Sequence, residues 1–204
     1  MAKAVPKAVF WDFGNVIVRW DPRTLYSKIF PDPAERDRFL SEVCTPLWHV
    51  ETDRGVTFAD NCARLARRHP RHAAAIWAWS RRWAEMFSGP IPETEAAIEA
   101  LHARGTPQFG LSNISHETLA STMAMSPAFA RLDGVIASGL EGVIKPDPAI
   151  FRLATERFGY APAECLFIDD GPHNVAAAQA LGFDVHHFTD PAGLAPALQA
   201  RGLL

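Results

Sequence analysis

Acidic residues follow two short apolar runs of the sequence, at the positions where buried strands would end. Asp12 comes directly after residues 8–11, and the pair Asp169-Asp170 comes directly after residues 165–168. Adjacent carboxylates repel each other unless a cation or a strong hydrogen-bond network offsets their charge. Carboxylates, a backbone carbonyl and water form the oxygen-only ligand set that suits Mg²⁺. The pattern therefore predicts a magnesium site, with a simple turn before the next helix as the alternative.

Two further segments carry polar side chains beside apolar runs. Ser112 and Asn113 end the run 109–111, and Lys145, one of four lysines, stands immediately before a predicted helix. Each alone could be an ordinary loop residue. Together with Asp12 they supply a nucleophilic carboxylate, a hydroxyl donor, an ammonium group and a metal site. Attack on a phosphorus centre requires this set, because its catalysis is mostly placement and charge neutralisation.

The apolar periodicity predicts strands that alternate with helices. Strands are expected at 8–11, 109–111, 134–137, 165–168 and 184–188, and helices at 93–104, 117–125, 148–158, 174–181 and 192–204. This alternation implies right-handed crossovers and an α/β fold, in which a parallel sheet carries helices on both faces. Ligands bind at the carboxyl edge of such a sheet.

Residues 21–88 differ from this pattern, because they contain helical spacing and no convincing strand. Helices are expected at 33–44, 57–68 and 72–87. We therefore expect an all-helical insert between the first strand and the rest of the sheet.

The composition indicates a globular protein of 204 residues, of which 48% are hydrophobic, with a net charge of -3. This charge gives no broad attraction for nucleic acid or an anionic membrane, so we expect neither as a partner. No apolar run reaches the roughly 18 residues of a membrane-spanning helix, and the first run is too short for a signal peptide. Three cysteines without close spacing favour a reducing cytoplasm. We expect a monomer or a homodimer.

The order of the polar segments resembles the four motifs of the haloacid dehalogenase superfamily. The matching residues are Asp12-Phe13-Gly14-Asn15-Val16, Leu111-Ser112-Asn113, Lys145-Pro146 and Phe167-Ile168-Asp169-Asp170. The resemblance spans nearly the whole chain. It implies a hydrolase with a Rossmann-like core at residues 1–20 and 89–204 and a helical cap at residues 21–88.

The resemblance also implies a role for each polar residue. Asp12 would attack phosphorus to form an aspartyl-phosphate, which water then hydrolyses. Ser112 would hold the phosphoryl oxygens with Asn113 beside it, and Lys145 would neutralise charge near the nucleophile. The residues implied at the metal site are Asp12, the backbone carbonyl of Gly14 and Asp170 as ligands, Asp169 as a ligand or a support of the ligands, and Asn174 as a brace of the loop.

Gly14 departs from the common pattern of the superfamily. Most of its phosphatases have a second aspartate two residues after the nucleophile, where it protonates the leaving oxygen and later activates water. The form Asp-x-Gly-Asn-Val resembles a subgroup of bacterial phosphatases that act on glucose 1-phosphate and similar small phosphates, and residues 48–57 resemble its cap loop. An acidic leaving hydroxyl, or a water molecule held by His49, His116 or Asp21, would then replace the missing acid.

Substrate choice is expected to depend on the cap, because a cap closes over the phosphate and excludes water. The candidates for its lining are Trp20, Arg23, Trp48, His49 and Glu51. Tryptophans at helical spacing are expected in the hydrophobic core, and these are Trp77, Trp79 and Trp83.

The function that these residues favour is Mg²⁺-dependent hydrolysis of a small phosphomonoester, similar to a sugar phosphate. A dehalogenase acting on 2-haloacids is an alternative, because halide leaves without a proton and Gly14 is compatible with it. Asp169 and Asp170 argue against this alternative, since displacement of halide needs no cation and two carboxylates repel a carboxylate substrate. A third alternative is a binding protein that has kept the fold and lost turnover.

Overall fold

Strands and helices alternate along the chain in a computed structural model, which describes residues 4–204. The strands of this range are β1 (Ala8–Trp11), β2 (Val18–Trp20), β3 (Phe87–Pro90), β4 (Gln108–Ser112), β5 (Gly134–Ala137), β6 (Cys165–Asp169) and β7 (Asp184–His187). The helices of this range are α1 (Pro22–Tyr26), α2 (Pro33–Glu42), α3 (Pro46–Asp53), α4 (Phe58–Arg68), α5 (Ala73–Arg81), α6 (Pro92–Ala103), α7 (Leu119–Met123), α8 (Ser138–Glu141), α9 (Pro148–Phe158), α10 (Pro172–Ala180) and α11 (Leu194–Gln199). Residues 1–3 of the predicted core lie outside the described range. None of the described helices combines the length and the hydropathy that crossing a membrane requires.

Five strands form one parallel sheet in the order β5-β4-β1-β6-β7. The central strand β1 pairs with β4 and β6, so that Phe10 lies opposite both Phe109 and Phe167. Every residue of these three strands is buried. Strands buried on both faces have continuous apolar sequences, which is the pattern that identified them. The predicted α/β fold is confirmed.

The two faces of the sheet have separate hydrophobic cores, because side chains alternate along a strand. Val9 and Trp11 of β1 pack on the side covered by α6 and α11. Ala8 and Phe10 pack on the side covered by α9 and α10. The strand β1 is therefore fixed from both sides, which gives the next residue, Asp12, a rigid backbone position.

The helices α1 to α5 lie between β2 and β3 in sequence and have a hydrophobic core of their own, which includes Tyr26 and Phe39. Four of them begin at a side chain that accepts a hydrogen bond from a backbone N–H of the first turn. These residues are Asp21 before α1, Asp32 before α2, Thr45 before α3 and Thr57 before α4. A helical insert is thus present, as the sequence predicts.

The strands β2 and β3 pair antiparallel at the two ends of the helical insert, with Trp20 opposite Phe87. The prediction of no strand within residues 21–88 is wrong at this end, because β3 begins at Phe87 and the helix expected there ends earlier. Because β3 contains Gly89 and Pro90, its sequence lacks the alternating apolar pattern that would predict a strand. Only its pairing with β2 identifies it as a strand.

Three short helices, α1, α3 and α8, are missing from the sequence predictions, and α7 and α11 are shorter than expected. Short helices contain too few repeats of the apolar periodicity to be recognised by it. The omission of α3 matters most, because the end of this helix reaches the site described next.

Candidate active site

The carboxyl ends of three neighbouring strands bring the predicted catalytic residues together. Asp12 follows β1, Ser112 ends β4 and Asp169 ends β6. One carboxylate oxygen from each of Asp12, Asp169 and Asp170 lies within 4.8 Å of the other two. Asp12 and Asp169 are buried, with exposures of 8% and 0%. Three acidic groups so close together need compensating positive charge.

Lys145 supplies part of this charge from the loop before α9. Its Nζ lies 2.9 Å from Asp12 Oδ1, and it donates hydrogen bonds to Asp169 Oδ2 at 2.6 Å and to the Leu111 carbonyl at 2.8 Å. Burial lowers the pKa of Lys145, but the charges of Asp12 and Asp169 outweigh burial and raise the net pKa above its ordinary value. The buried ammonium is therefore charged at neutral pH and is fixed by three oxygen atoms.

Burial and neighbouring charges shift the pKa values of Asp12 and Asp170. Burial raises the pKa of Asp12; the ammonium of Lys145 opposes this shift, and the charge of Asp169 adds to it. Burial and then the charge of Asp169 raise the pKa of Asp170 as well. A divalent cation beside these carboxylates would remove their repulsion, and oxygen donors of this kind suit Mg²⁺. The residues present therefore fit a magnesium ion.

The turn after β1 holds the nucleophile candidate and leads the chain toward the helical insert. The Phe13 N–H donates to Asp12 Oδ1 at 2.7 Å, and the Trp20 N–H donates to Asn15 Oδ1 at 3.0 Å. Asn15 has a φ of 57°, a left-handed conformation that asparagine tolerates better than most residues. A Cβ atom added at Gly14 would lie 4.0 Å from the Cβ of Trp20, an ordinary contact. Gly14 therefore offers backbone atoms beside Asp12 but no acidic side chain.

Asn113 fixes the backbone of Lys145 with both polar atoms of its amide. Its Oδ1 accepts a hydrogen bond from the Lys145 N–H at 2.7 Å, and its Nδ2 donates to the Lys145 carbonyl at 2.9 Å. Asn113 was predicted to bind substrate, and it does line the cavity. Because its amide is already engaged, its direct effect in this structure is to position Lys145.

Asp169 is held on both of its carboxylate oxygens. Oδ1 accepts hydrogen bonds from the Gly171 N–H at 2.7 Å and from Asn174 Nδ2 at 3.0 Å, while Oδ2 accepts from Lys145. A Cβ atom at Gly171 would lie 3.0 Å from Asp169 Oδ1 and 2.9 Å from Asn174 Nδ2, so a larger residue there would displace the ends of these two side chains. Asp170, by contrast, lines the open cavity.

A cavity of about 210 Å³ lies over these residues, between the edge of the sheet and the helical insert. Its wall on the sheet side includes Asp12, Gly14, Ser112 and Asp170. Its opposite wall is mostly aromatic. The residues there are Trp20, His49, Asp53, Trp83 and Phe87.

Trp20 and His49, two of the predicted lining residues, both line the cavity. Their rings stack, with centroids 5.6 Å apart and planes 23° apart. Burial lowers the pKa of His49 to about 4, so its imidazole is neutral at physiological pH. The two rings therefore present a flat, uncharged surface to a bound molecule.

Arg23, Trp48 and Glu51 were predicted to line the substrate site, but they are not among the residues that line this cavity. The Glu51 carboxylate lies 3.6 Å from Arg54 Nη1, and Trp48 is buried with its indole N–H donating to the Asn61 carbonyl at 3.3 Å. Arg23 pairs instead with Asp37, with 3.3 Å between Nε and Oδ1. For the α3 residues the reason is helical phase, because one face of the helix turns to the cavity and Trp48 and Glu51 lie on other faces.

Trp83 was expected in the core, and Asp53 was not among the predicted site residues. Trp79 is buried in the core of the insert and Trp77 packs partly against it, as predicted, but Trp83 lines the cavity as well. Asp53 lies four residues after His49 and on the same face of α3. This spacing of two ionisable residues is the signal that could have identified it, had the helix been recognised.

A family model of haloacid dehalogenase-like hydrolases matches residues 6–182. The match includes every residue of the carboxylate cluster and of the loop that carries Lys145. The chain belongs to the haloacid dehalogenase-like hydrolases. The resemblance drawn from the four sequence motifs is thereby confirmed at the level of the superfamily, and the protein is an enzyme of the hydrolase class.

Relatives of this haloacid dehalogenase-like hydrolase include phosphatases and dehalogenases. A sesquiterpene phosphatase of Aspergillus oryzae is 26% identical over 199 residues, which are 97% of this chain and 96% of the relative. A haloacetate dehalogenase of Moraxella sp. is 32% identical over 96 residues, which are only 47% of this chain and 43% of the relative. Resemblance to the glucose 1-phosphate subgroup therefore stays a prediction.

A solved structure of a haloacid dehalogenase family enzyme from Bacteroides thetaiotaomicron has the same fold. Its TM-score is 0.68 at 18% identity, over 93% of this chain and 98% of that one. The structure is that of a mutant in complex with magnesium and inorganic phosphate. At this identity the likeness establishes the fold.

Proposed function

We propose that this hydrolase is a Mg²⁺-dependent phosphatase that acts on a small phosphomonoester through an aspartyl-phosphate. The observation that carries the proposal is the charge balance of the site. Three carboxylates with oxygens within 4.8 Å of one another share the single ammonium of Lys145, so two negative charges remain uncompensated when all three are ionised. A divalent cation matches this excess.

The proposed ligands of the ion are the carboxylates of Asp12 and Asp170 and the backbone carbonyl of Gly14. Asp169 is better suited to support the site, because its two oxygens already accept hydrogen bonds from protein donors. Asn174 braces the same carboxylate. When bound, Mg²⁺ would offset the charge of the phosphoryl group and orient it for attack.

The chain's own residues would perform the remaining steps. The Asp12 carboxylate would attack phosphorus, Lys145 would balance the charge beside it, and the Ser112 hydroxyl would hold a phosphoryl oxygen. We further propose that residues 1–20 and 89–204 act as the core and that residues 21–88 act as a cap. The support for a cap is the cavity wall formed by insert residues, which would exclude water from the reacting atoms.

The acidic character of the cavity favours phosphate ester over haloacid as the substrate. Among the described residues that line it are Asp12, Asp53 and Asp170, and no lysine or arginine. The carboxylates of Asp12 and Asp170 would hold the Mg²⁺ that offsets the charge of a phosphate ester, whereas displacement of halide needs no cation. The phosphatase relative also matches over 97% of this chain, whereas the matches to the dehalogenases of Moraxella sp. and Burkholderia cepacia span 47% and 72% of it.

The aromatic wall supports a sugar-like leaving group as the finer proposal, because Trp20, Trp83 and Phe87 can stack on the faces of a sugar ring.

We also propose a cytoplasmic location, for which the support is three buried free thiols, Cys44, Cys62 and Cys165. A monomeric or homodimeric state and the absence of a nucleic-acid partner stay predictions.

Removal of the metal tests the proposed function. We expect the purified protein to hydrolyse p-nitrophenyl phosphate, to lose about 1000-fold in rate after treatment with EDTA, and to recover on addition of Mg²⁺. The measurement is phosphate release. A parallel assay measures chloride release from 2-chloropropionate. Metal-independent chloride release without phosphate release would replace the proposal by dehalogenation, and release of neither would indicate a binding protein.

Replacement of Asn113 by alanine tests the positioning of Lys145. The variant loses both hydrogen bonds to the Lys145 peptide. We expect kcat/KM for p-nitrophenyl phosphate to fall by about 100-fold, because a small displacement of the ammonium weakens charge balance at Asp12. Circular dichroism checks that the fold is retained. An unchanged kcat/KM would mean that Lys145 keeps its place without this amide.

A further inference from the structure

The proposed reaction lacks an obvious source for the proton that the leaving oxygen requires. Position 14 is glycine, so the backbone beside Asp12 carries no acid. His116 and Asp21 are absent from the described residues that line the cavity, and Asp21 is used to cap α1 through the Arg23 N–H at 2.8 Å. His49 lines the cavity, but its imidazole is neutral and holds no extra proton to give.

Asp53 is the ionisable group of the helical insert that remains in this cavity with an unsatisfied oxygen. It is the last residue of α3 and is 6% exposed. Its Oδ1 is buried and has no hydrogen-bond partner among the described residues. The Nε2 atom of the neutral His49 imidazole lies 3.8 Å from this oxygen, which is too far for a hydrogen bond. A buried, unpaired carboxyl oxygen is costly, so its presence beside a reaction site suggests a use.

Two glycines allow the end of α3 to approach the core this closely. Gly55 has a φ of 96°, and a Cβ atom there would lie 3.0 Å from the Gly139 carbonyl oxygen of α8. A Cβ atom at Gly139 would in turn lie 2.6 Å from the His116 backbone nitrogen. The turn after Asp53 thus packs on α8, and α8 in turn packs on the loop that follows β4. This contact fixes Asp53 relative to the strands that carry Asp12 and Ser112.

The surroundings of Asp53 favour its protonated form. Burial raises the pKa of Asp53 to about 7, the charge of Asp12 adds to this shift, and the ammonium of Lys145 opposes it. The other ionisable groups of the cavity are neutral His49 and the acidic Asp170. A group that is partly protonated at neutral pH can both give and accept a proton there.

We propose that Asp53 is the acid–base residue of this enzyme, donating its proton to the leaving oxygen from the insert side of the cavity. The inference rests on the proposed phosphatase function. In the first step an Asp12 oxygen bonds to phosphorus, the bond between phosphorus and the ester oxygen breaks, and the proton of Asp53 passes to that oxygen, which gives an alcohol. In the second step Asp53 takes a proton from water as the water oxygen attacks phosphorus. The bond between phosphorus and Asp12 breaks, which releases inorganic phosphate and restores both residues.

The test compares two substrates of similar shape that differ in their need for a proton. Nitrophenolate leaves p-nitrophenyl phosphate readily without protonation, whereas the phenolate of phenyl phosphate is a poorer leaving group. In Asp53→Asn, a substitution of nearly equal size, we expect the first turnover of phenyl phosphate to slow by about 100-fold or more. The first turnover of p-nitrophenyl phosphate should slow by less than about tenfold. A burst of nitrophenolate should precede slow turnover, because water lacks its base in the second step.

Controls separate the role of Asp53 from folding and from the proposed function. The nitrophenolate burst shows within the same variant that the enzyme is folded and that Asp12 still attacks. Glu42→Gln makes the matching change of charge at an exposed site of the insert and should behave as wild type. Equal slowing of both substrates in Asp53→Asn would overturn the role of Asp53 while leaving the phosphatase function intact. Failure of the wild type to hydrolyse p-nitrophenyl phosphate would overturn both.

The pH profile gives a second readout. With phenyl phosphate, wild-type kcat/KM should fall as the pH rises through about 7, because Asp53 then loses the proton that it must donate. Asp53→Asn should lack this falling limb. A falling limb that persists unchanged in this variant would overturn the assignment.

Discussion

Replacement of Asp12 by asparagine is expected to lower kcat by at least about 1000-fold, with a folded protein as the product. The reason is chemical, because an amide does not attack phosphorus to form the covalent intermediate. The substitution keeps the size of the side chain, and the amide oxygen can still accept the hydrogen bond from the Phe13 N–H. The measurement is single-turnover hydrolysis of p-nitrophenyl phosphate at saturating Mg²⁺.

Covalent trapping makes this prediction specific to the nucleophile. Wild-type enzyme that is quenched in acid during turnover of a radiolabelled phosphomonoester should carry phosphate on the protein, and Asp12→Asn should not. Glu42→Gln applies the same change from acid to amide at an exposed position and should retain both rate and label. A variant at Asp12 that keeps a rate near that of wild type would remove Asp12 from the mechanism.

The convergence of the candidate catalytic residues could be predicted from sequence because it follows from the fold. Asp12, Ser112 and Asp169 each end an apolar run, and parallel strands bring such ends to one edge of the sheet. The order of the strands explains why these three residues are adjacent, since β4 and β6 are the two neighbours of β1. The positions of the strand ends therefore predict which polar side chains converge, without any knowledge of individual side-chain contacts.

The cavity wall on the insert side could not be predicted in the same way. It depends on the phase of α3, a helix of 8 residues whose short periodic pattern is hidden in a stretch interpreted as a loop. Knowledge of that phase separates His49 and Asp53, which face the cavity, from Trp48 and Glu51, which do not. It also depends on pairing between β2 and β3, which is a tertiary contact. Residue types alone predicted the aromatic and charged side chains of this stretch as cavity lining, without indicating which of them face the cavity.

Asp169 illustrates how the position of a residue can follow from the sequence while its role is left open. The sequence allowed it to be a metal ligand or a support. In the structure its carboxylate joins the ammonium of Lys145, the Gly171 N–H and the amide of Asn174. These hydrogen bonds join the loop before α9, which carries Lys145, to the loop that follows β6. This arrangement explains why Lys145 should contribute to stability as well as to catalysis.

Replacement of Lys145 by methionine is expected to remove activity and to lower the free energy of unfolding by about 3–5 kcal/mol. Methionine fills similar space, but it leaves the buried carboxylates of Asp12 and Asp169 without the ammonium that lies 2.9 Å and 2.6 Å from their oxygens. An uncompensated buried charge costs more than the lost ion pair itself. Urea denaturation followed by circular dichroism measures this loss.

A second substitution separates the two effects of Lys145. Lys145→Met combined with Asp169→Asn removes one of the two uncompensated buried charges. We therefore expect the double variant to regain a substantial part of the lost free energy of unfolding. Activity should stay absent, because nothing balances the charge beside Asp12. Lowering the pH from about 8 toward 5 should narrow the stability gap between Lys145→Met and wild type. Without the ammonium, burial and the charge of Asp169 both raise the pKa of Asp12, so the folded variant binds a proton more readily than the unfolded chain does and gains stability as the pH falls. A double variant no more stable than Lys145→Met would mean that the lysine acts through packing, and that charge balance does not hold this site together.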